Sequence, residues 1–409
     1  MYSLAIKDIF WYNKNMKILL IVIDGLGDKP IPQLDNRTPL EAAKTLNLDF
    51  LAKEGICGLI SPFYFPWQKY PRSDTAHLAL LGCDPKKYYL GRGIYEVAGI
   101  GMKLKKGDIA IRANFGTVNN NLKIIDRRAG RIDRTEPLIK SLSKIKEIEG
   151  VKFLIKKSYG HRAGLVLRGK GLSSMISDGD PHKTGVYVDK IVPLDKSRKS
   201  AFTAKVLNRY LEKAHKILKE CSLNIKRKLP ANYLLVRGAG EMRNVPKFKL
   251  KAACIAGGGL YKGIGKVLGM DLINVKGATG FPTTDLKAKF SAAKRALFGK
   301  YDFVFLHIKA TDNLAEDGNF IGKKKFIEKI DRDIKSLLTL KNTLIAITAD
   351  HSTCCALKRH CLEPVPILFF GNGKDKVKRF SEKAFKKGKL GKFKQIKLMS
   401  KLTKYAKDN

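Results

Sequence analysis

Three stretches of the chain carry unbroken runs of apolar, often β-branched residues in place of an alternating pattern. Such runs are typical of strands in a parallel sheet, where both strand faces are covered. Each run leads to an aspartate: Lys17–Ile23 to Asp24, Phe303–Ile308 to Asp312, and Leu344–Thr348 to Asp350. One strand-end aspartate is usually a turn former, but carboxyl ends of parallel strands share one sheet edge. The three together predict a converging site.

The residues after the first run predict a helix. Thr38 is a typical N-cap, Pro39 fits the first helical position, and Glu41 completes a capping box. Apolar residues then continue to a glycine stop at Gly55. The pattern therefore predicts one helix from Pro39 to Gly55, and with the preceding strand it forms a βα unit.

The pattern changes between about residues 107 and 245. Short alternating stretches at 165–167 and 233–236 predict strands, and a lysine-rich run at 200–220 predicts a helix. We interpret this part as an inserted, smaller α/β lid domain. The predicted organisation is an N-terminal extension at 1–16, a discontinuous metal-binding catalytic domain at 17–106 and 246–409, and the insertion at 107–245. The fold class is α/β, with a central, mostly parallel sheet flanked by helices.

The charge balance changes this picture little. The 409 residues contain 80 Lys and Arg against 37 Asp and Glu, a net charge of +43. A nucleic-acid-associated protein is one interpretation, but the lysines are spread along the whole chain without a nucleic-acid module. We therefore expect at most non-specific attraction to nucleic acid. The basic stretch 371–409 keeps apolar residues at regular spacing, which predicts a packed segment.

Other aspects of composition exclude several classes of protein. Apolar residues make up 44% of the chain, yet no stretch approaches the roughly 20 residues of a membrane span. The early run 18–23 is too short for a signal peptide, and the sequence leaves open whether translation starts at Met1 or Met16. Seven scattered cysteines without a C-x-x-C pair predict free thiols in a reducing cytoplasm.

Aspartates, histidines and one serine are the candidates for chemistry. Asp and His side chains together suit one or two divalent ions, and a metal pair can bind a phosphoryl group and activate a hydroxyl. Ser73 is the predicted nucleophile because 71–75 resembles a turn into a helix whose free N–H groups can receive phosphate. A plain N-cap serine is the alternative for Ser73 alone.

An ordered set of motifs resembles the archaeal-type 2,3-bisphosphoglycerate-independent phosphoglycerate mutases. The motifs span nearly everything from Lys17 onward, and their order makes the set specific. They are Ile23-Asp24-Gly25, Ser73-Asp74-Thr75-Ala76-His77 through Gly82, Asp84-Pro85, Gly91-Arg92-Gly93, Asp180-Pro181-His182-Lys183-Thr184-Gly185, Arg237-Gly238-Ala239-Gly240, Gly277-Ala278-Thr279-Gly280, His307 through Asp312, Asp350-His351-Ser352-Thr353, His360 and Pro364-Val365-Pro366.

The resemblance implies an alkaline-phosphatase-like core and interconversion of 3-phosphoglycerate and 2-phosphoglycerate in glycolysis and gluconeogenesis, with no 2,3-bisphosphoglycerate cofactor. It implies two divalent ions, manganese first, with magnesium, cobalt or zinc as alternatives. Ser73 would carry the phosphoryl group as a phosphoserine. One ion would be held by Asp24, Ser73, Asp350 and His351, and the other by Asp312, the residue at 316 and His360. The lid would exclude water so that transfer does not become hydrolysis.

Basic and polar side chains elsewhere are candidates for substrate binding, because bidentate arginine suits carboxylate and phosphate. The expected contacts are Arg162, Asp180, His182, Lys183 and Arg237 from the insertion, with Lys262 and Lys309 assisting. Surface salt bridging is the alternative for each of them.

The chain departs from the family pattern at Glu316, where a histidine is usual. Glutamate binds manganese or magnesium well, so we expect Glu316 to hold the second ion and to favour oxygen-preferring metals. The alternative is a weakened second site.

Two other functions stay open at this point. Another phosphatase or phosphomutase of the alkaline phosphatase superfamily could use the same metals and serine, since substrate choice lies in the lid. A basic nucleic-acid-associated protein is the alternative from another class. The expected partner is a small-molecule substrate, without a membrane, in the cytoplasm, and the sequence does not predict the oligomeric state.

Overall fold

The computed structural model describes residues 16–407 of the chain, and its strands follow the apolar runs of the sequence. The strands are β1 (Lys17–Ile23), β2 (Gly55–Ser61), β3 (Ile109–Val118), β4 (Ile124–Asp126), β5 (Glu147–Ile148), β6 (Val151–Lys157), β7 (Arg162–Arg168), β8 (Tyr233–Glu241), β9 (Ala252–Ile255), β10 (Asp271–Leu272), β11 (Phe303–Ile308), β12 (Thr343–Thr348), β13 (Ser352–Cys354), β14 (Arg359–Cys361), β15 (Val365–Phe370) and β16 (Gly391–Lys394).

Helices separate most of these strands. They are α1 (Pro39–Ala42), α2 (Leu46–Lys53), α3 (Ser73–Leu80), α4 (Pro85–Tyr88), α5 (Arg92–Gly99), α6 (Glu136–Leu142), α7 (Arg198–Glu220), α8 (Ser222–Ile225), α9 (Gly259–Val267), α10 (Leu286–Phe298), α11 (Ala310–Glu316), α12 (Phe320–Ile334), α13 (Glu382–Phe385) and α14 (Leu398–Tyr405). Within residues 16–407, none of them combines the length and the apolar character that a membrane crossing needs.

The chain forms two units, and the first holds the larger sheet. It comprises residues up to Gly82, Leu250–Ile255 and Val275 onward. Its strands run in the order β9-β11-β1-β12-β15-β2-β16, in which β15 alone is antiparallel to its neighbours. Helices α2, α10, α13 and α14 pack against this sheet. The predicted α/β class with a mostly parallel sheet is confirmed.

Strand β1 lies between β11 and β12 and is parallel to both. Ile18 to Ile23 are at most 2% exposed, which explains why the run is apolar throughout. Ile23 pairs with Ile308, and Val22 pairs with Thr348. The segments after the three strands, which contain Asp24, Asp312 and Asp350, therefore emerge at the same edge.

The single helix predicted from Pro39 to Gly55 is wrong, because the structure has two short helices there. The capping box of Thr38 and Glu41 forms as expected, but α1 ends where Ala43 turns extended. Side chains of α12 intervene at this break: Glu328 accepts from the backbone of Lys44, and Asp331 accepts from that of Leu48. A local pattern cannot anticipate such tertiary caps.

The second unit comprises Cys83–Lys249 and Ala256–Asn274. In its sheet, β3 pairs antiparallel with β4, β7 and β8, and β7 continues through β6 to β5. Helix α7 covers the predicted run 200–220, and its Tyr210 stacks on Phe153 of β6 with ring centroids 4.3 Å apart. The division into a catalytic domain at 17–106 and 246–409 and a lid at 107–245 stays a prediction.

Both chain ends carry predictions. Residues 1–15 of the expected extension lie outside the described residues, whereas Met16 is buried and its backbone N–H donates to Ala406. The C-terminal stretch is folded as far as the described residues go, to Lys407. There Phe380, Phe385 and Leu398 are at most 1% exposed.

Candidate metal centre and arginine cluster

The first candidate ligand follows β1 directly. Asp24 is 0% exposed, its backbone N–H donates to Ile308, and its carbonyl accepts from the Thr311 hydroxyl. The next residue, Gly25, has φ +66°, and a Cβ there would meet Asp312 Cα at 2.9 Å. Glycine is therefore required for the close approach of the chain segments that carry Asp24 and Asp312.

Ser73 is the first residue of α3, as the sequence predicted, and it is 6% exposed. Its Oγ lies 3.2 Å from Nε2 of His351. One turn later, Nδ1 of His77 lies 2.7 Å from the Ser73 carbonyl and 3.4 Å from Asp350 Oδ2. The beginning of the helix thus presents the hydroxyl beside both a histidine and a carboxylate.

His351 lies at the centre of the group. Its Nε2 is 3.0 Å from Asp350 Oδ2 and 3.6 Å from Asp24 Oδ1. Its Nδ1 lies 3.2 Å from the hydroxyl of Thr353, which also donates to Asp312 Oδ1 at 2.7 Å. Thr353 therefore orients two candidate ligands at once.

His360 reaches the same place from hairpin β13–β14. Its Nδ1 lies 2.7 Å from the Pro71 carbonyl, so that nitrogen is the donor and Nε2 is left with its lone pair. Nε2 is 3.5 Å from Asp312 Oδ1 and 3.8 Å from Glu316 Oε1. The rings of His351 and His360 stack with centroids 3.6 Å apart.

Glu316 belongs to this group less firmly than the other acids. Its side chain is 51% exposed, whereas that of Asp312 is 1% exposed. Burial and the negative charge of Asp312 raise the pKa of Glu316. Glu316 is the last residue of α11, so its side chain lies at the edge of the group.

Lys309 lies between two of the buried carboxylates. Its Nζ is 2.6 Å from Asp312 Oδ2 and 3.4 Å from Asp24 Oδ2. Burial alone would raise the pKa of Asp24, but Lys309 and the neighbouring histidines hold it well below its usual range. Burial and the negative charge of Asp24 raise the pKa of Asp350 to about 8.

The residues fit divalent ions. Two groups of donor atoms each lie within 4.8 Å of one another, Asp24 with Asp350 and His351, and Asp312 with His351 and His360. Asp350 Oδ2 is buried and accepts no hydrogen bond from the described residues. The unprotonated Nε2 of His360 and Oδ1 of Asp312, 3.5 Å apart, both offer electron pairs that a cation between them would accept. Oxygen and imidazole donors together suit manganese, magnesium or zinc.

Sequence reasoning missed several side chains that support this centre. His307 Nε2 lies 3.3 Å from Asp24 Oδ2, and burial lowers the pKa of His307 to about 3. His77, Thr311 and Thr353 contact the other candidate ligands, as described above. His77, His307 and Thr353 all lie inside the motifs that carry the family resemblance, and this was the available signal.

The prediction that all seven cysteines are free thiols is wrong. A disulfide joins Cys354 and Cys361 across hairpin β13–β14, with Cα atoms 6.0 Å apart. A sequence separation of seven carries no such signal, because the hairpin that brings the two together is only visible in the fold. The bond flanks His360, so it restrains the strand that carries this candidate ligand.

The second unit has its own charged cluster. Arg127 donates to both carboxylate oxygens of Asp180, from Nε at 2.8 Å and from Nη2 at 2.7 Å. Nη1 of Arg237 lies 3.0 Å from Nδ1 of His182. Burial and the charge of Arg92 lower the pKa of Arg237 to about 10. Three of the predicted substrate contacts thus lie together, namely Asp180, His182 and Arg237. Sequence reasoning missed their neighbour Arg127.

A second group surrounds Glu96. Its Oε1 lies 3.2 Å from both Arg92 and Arg112. Burial lowers the pKa of Arg162, and the negative charge of Glu96 partly offsets this lowering. Arg162 Nε is buried without a hydrogen bond from the described residues. One carboxylate facing several guanidinium groups leaves an excess of positive charge, which suits an anion.

Two predicted substrate contacts lie outside these groups. Lys183 is exposed, and its ammonium has no protein partner within the described chain. Lys262 is half-buried and donates to Asn274 Oδ1 at 3.2 Å.

Comparisons with known proteins agree with one another. The family model of the metalloenzyme superfamily matches residues 16–405. A 2,3-bisphosphoglycerate-independent phosphoglycerate mutase of Archaeoglobus fulgidus is 47% identical over 403 residues, 94% of this chain and 97% of the relative. One from Methanocaldococcus jannaschii is 44% identical over 392 residues, 92% and 94% of the two chains.

Two solved structures are similar over almost their whole length. The cofactor-independent phosphoglycerate mutase of Thermoplasma acidophilum has a TM-score of 0.71 at 38% identity, covering 96% of this chain and 100% of that one. The PH0037 protein of Pyrococcus horikoshii has a TM-score of 0.82 at 34% identity, covering 97% and 98%.

Proposed function

We propose that this chain, which belongs to the metalloenzyme superfamily and within it to the 2,3-bisphosphoglycerate-independent phosphoglycerate mutases, interconverts 3-phosphoglycerate and 2-phosphoglycerate through a phosphoserine at Ser73. The observation that carries the proposal is the position of the Ser73 hydroxyl, at a helix beginning and 3.2 Å from His351 in a pocket of buried carboxylates. A cytoplasmic location follows from this role in glycolysis and gluconeogenesis.

The chain's own residues support the reaction in a definite way. Divalent ions held by the Asp24 and Asp312 groups would lower the pKa of the serine hydroxyl and neutralise phosphoryl oxygens. The beginning of α3, where Ser73 lies, favours negative charge through the helix dipole and so supports binding of the same oxygens. Lys309 adds a positive charge beside Asp24 and Asp312. In the proposed reaction the Ser73 oxygen takes the phosphoryl group from one hydroxyl of the glycerate, and the phosphoserine then returns it to the other hydroxyl.

The metal assignment is part of the proposal. We assign Asp24, Ser73, Asp350 and His351 to one ion and Asp312, Glu316 and His360 to the other, with manganese as the first choice. The substrate contacts assigned to Arg162, Asp180, His182, Lys183, Arg237, Lys262 and Lys309 stay predictions.

The deciding experiment is a coupled assay on the metal-loaded enzyme that follows both 2-phosphoglycerate and free phosphate. We expect manganese-dependent formation of 2-phosphoglycerate by the wild type, and a loss of at least about 10³-fold in Ser73→Ala, since the phosphoryl acceptor is gone. Ser400→Ala, an exposed serine on α14, is the matched control and keeps full activity. Release of free phosphate without 2-phosphoglycerate would identify a phosphatase instead.

The place of Glu316 can be measured without any activity. Metal analysis of the purified protein should find two manganese ions per chain in the wild type and one in Glu316→Ala, because the second ion then loses one of its three assigned ligands. Two ions in the variant, or one in the wild type, would show that Glu316 is not a ligand.

A further inference from the structure

A cleft of about 1460 Å³ lies within the first unit, lined mainly by residues 28–41, 363–364 and 376–392. No residue assigned to the metal centre is among the described residues that line it. Pockets for single small molecules usually measure about 300–1,000 Å³. The cleft therefore has room for an extended ligand.

Lysines dominate one wall of this cleft. All six are exposed, and within residues 16–407 their ammonium groups have no hydrogen-bond or ion-pair partner. They are Lys376, Lys378, Lys383, Lys386, Lys387 and Lys392. Their charges are spaced along one segment and directed at one concavity.

The acidic residues of the cleft do not neutralise these lysines, because the lining holds five acids against eight lysines and arginines and most of the acids are paired with other cations. Three are in ion pairs and one accepts the backbone N–H of a helix cap. The pairs are Asp28 with Lys323, Asp35 with Arg37 and Glu363 with Lys29, and Glu41 accepts from Thr38. The cleft thus keeps a positive field that attracts anions.

Glu382 lies in the same lining but adds little negative charge to it near neutral pH. Its Oε2 accepts from the Thr38 hydroxyl at 2.9 Å, while Oε1 is buried and, among described residues, without a hydrogen-bond partner. Burial raises the pKa of Glu382 to about 7, so much of this carboxyl is neutral near that pH. A neutral carboxyl does not repel an anion in the cleft, whereas a carboxylate would.

We propose that this cleft binds a polyphosphate chain, either free or as the triphosphate of a nucleotide. A row of phosphates matches several spaced ammonium groups, whereas orthophosphate can reach only a few of them. The lining contains no aromatic side chain among the described residues, so it offers no stacking platform for the bases of a nucleic-acid strand. The phosphate chain itself is then the recognised group.

The test is calorimetric titration of the metal-loaded enzyme with magnesium tripolyphosphate and, separately, magnesium ATP. The variant Lys378→Gln/Lys383→Gln/Lys387→Gln removes three charges from the cleft. The matched control Lys213→Gln/Lys216→Gln/Lys219→Gln removes three exposed lysines from α7. We expect the cleft variant to weaken tripolyphosphate binding about tenfold or more, and the control to change it less than about twofold.

Equal weakening by both variants would reduce the effect to net charge and overturn the proposal. The absence of binding, or orthophosphate binding as tightly as tripolyphosphate, would overturn it as well. So would tighter, cleft-dependent binding of a single-stranded RNA oligonucleotide. Equal affinity for ATP and tripolyphosphate would support recognition of the phosphate groups alone. Tighter binding of ATP would support a nucleotide as the ligand. Unchanged mutase activity and circular dichroism confirm that the variants are folded.

Discussion

Lys323 of α12 is buried between the segment that follows β1 and strand β13, beside the candidate metal centre. Its side chain is 0% exposed, and its ammonium donates to Asp28 Oδ2 at 2.9 Å, to the Gly27 carbonyl at 3.0 Å and to the Thr353 carbonyl at 2.9 Å. Replacement by methionine keeps the stem and removes all three donors. It leaves the Asp28 carboxylate, 1% exposed, without a charged partner among the described residues.

We expect Lys323→Met to lower the free energy of unfolding of the first unit by about 3–5 kcal/mol, the usual cost of breaking one half of a buried ion pair. Urea denaturation followed by circular dichroism measures this loss. Lys324→Met is the control: its ion pair with Glu328 is a partly exposed helical pair, worth about 0.3–0.5 kcal/mol.

The double variant Asp28→Asn/Lys323→Met removes the stranded charge and should recover part of the lost stability. The reasoning would be refuted if the free energies of unfolding of Lys323→Met and Lys324→Met differed by less than about 1 kcal/mol. Such a result would mean that the Asp28 charge is solvated or neutralised without Lys323.

Three further variants address other features. Glu382→Gln should stabilise the protein above pH 7 and have little effect below about pH 4.5. Because the pKa of Glu382 is raised to about 7 in the folded protein, the wild type loses stability as the pH rises between these values, by at most about 3 kcal/mol. Glutamine does not ionise, so the variant avoids this loss. Cys354→Ser/Cys361→Ser should lower stability by about 2 kcal/mol through the lost loop closure and weaken manganese binding, measured by melting and metal titration. Gly25→Ala should cost about 2–4 kcal/mol, because its Cβ would meet backbone at 2.9 Å in a left-handed conformation.

Each of these variants has a matched control. Glu363→Gln removes an exposed carboxylate and should show no such pH dependence. A dithiol reductant should reproduce the cysteine effect in the wild type and leave the double variant unchanged. Gly107→Ala also has a positive φ, +83°, but its Cβ meets nothing within 4 Å, so it should cost only about 1 kcal/mol. Equal effects of Gly25→Ala and Gly107→Ala would contradict the steric argument.

The sequence predicted the parts of the fold that local rules control. The runs that became β1, β11 and β12 are apolar because both of their faces are covered, and the N-cap of α1 depends on residues within one turn. Helix α7 follows its lysine-rich amphipathic run almost residue for residue.

Features that depend on distant partners could not be predicted. The break between α1 and α2 is set by Glu328 and Asp331 of α12, nearly 300 positions away. The disulfide depends on a hairpin that no run of apolar residues in the sequence predicts. The support given by His307 and Thr353 becomes visible only when strand ends are placed side by side.

The central position of β1 has a consequence for synthesis of the protein. Both of its neighbours in the sheet are made much later, since β11 begins at Phe303 and β12 at Thr343. Until then this strand has neither of these two neighbours, and a nascent chain of this kind depends on protection from aggregation. Under the proposed metal assignment, Asp350 must also leave the ribosome before Asp24 can share a cation with it, so we expect an incomplete chain to be inactive.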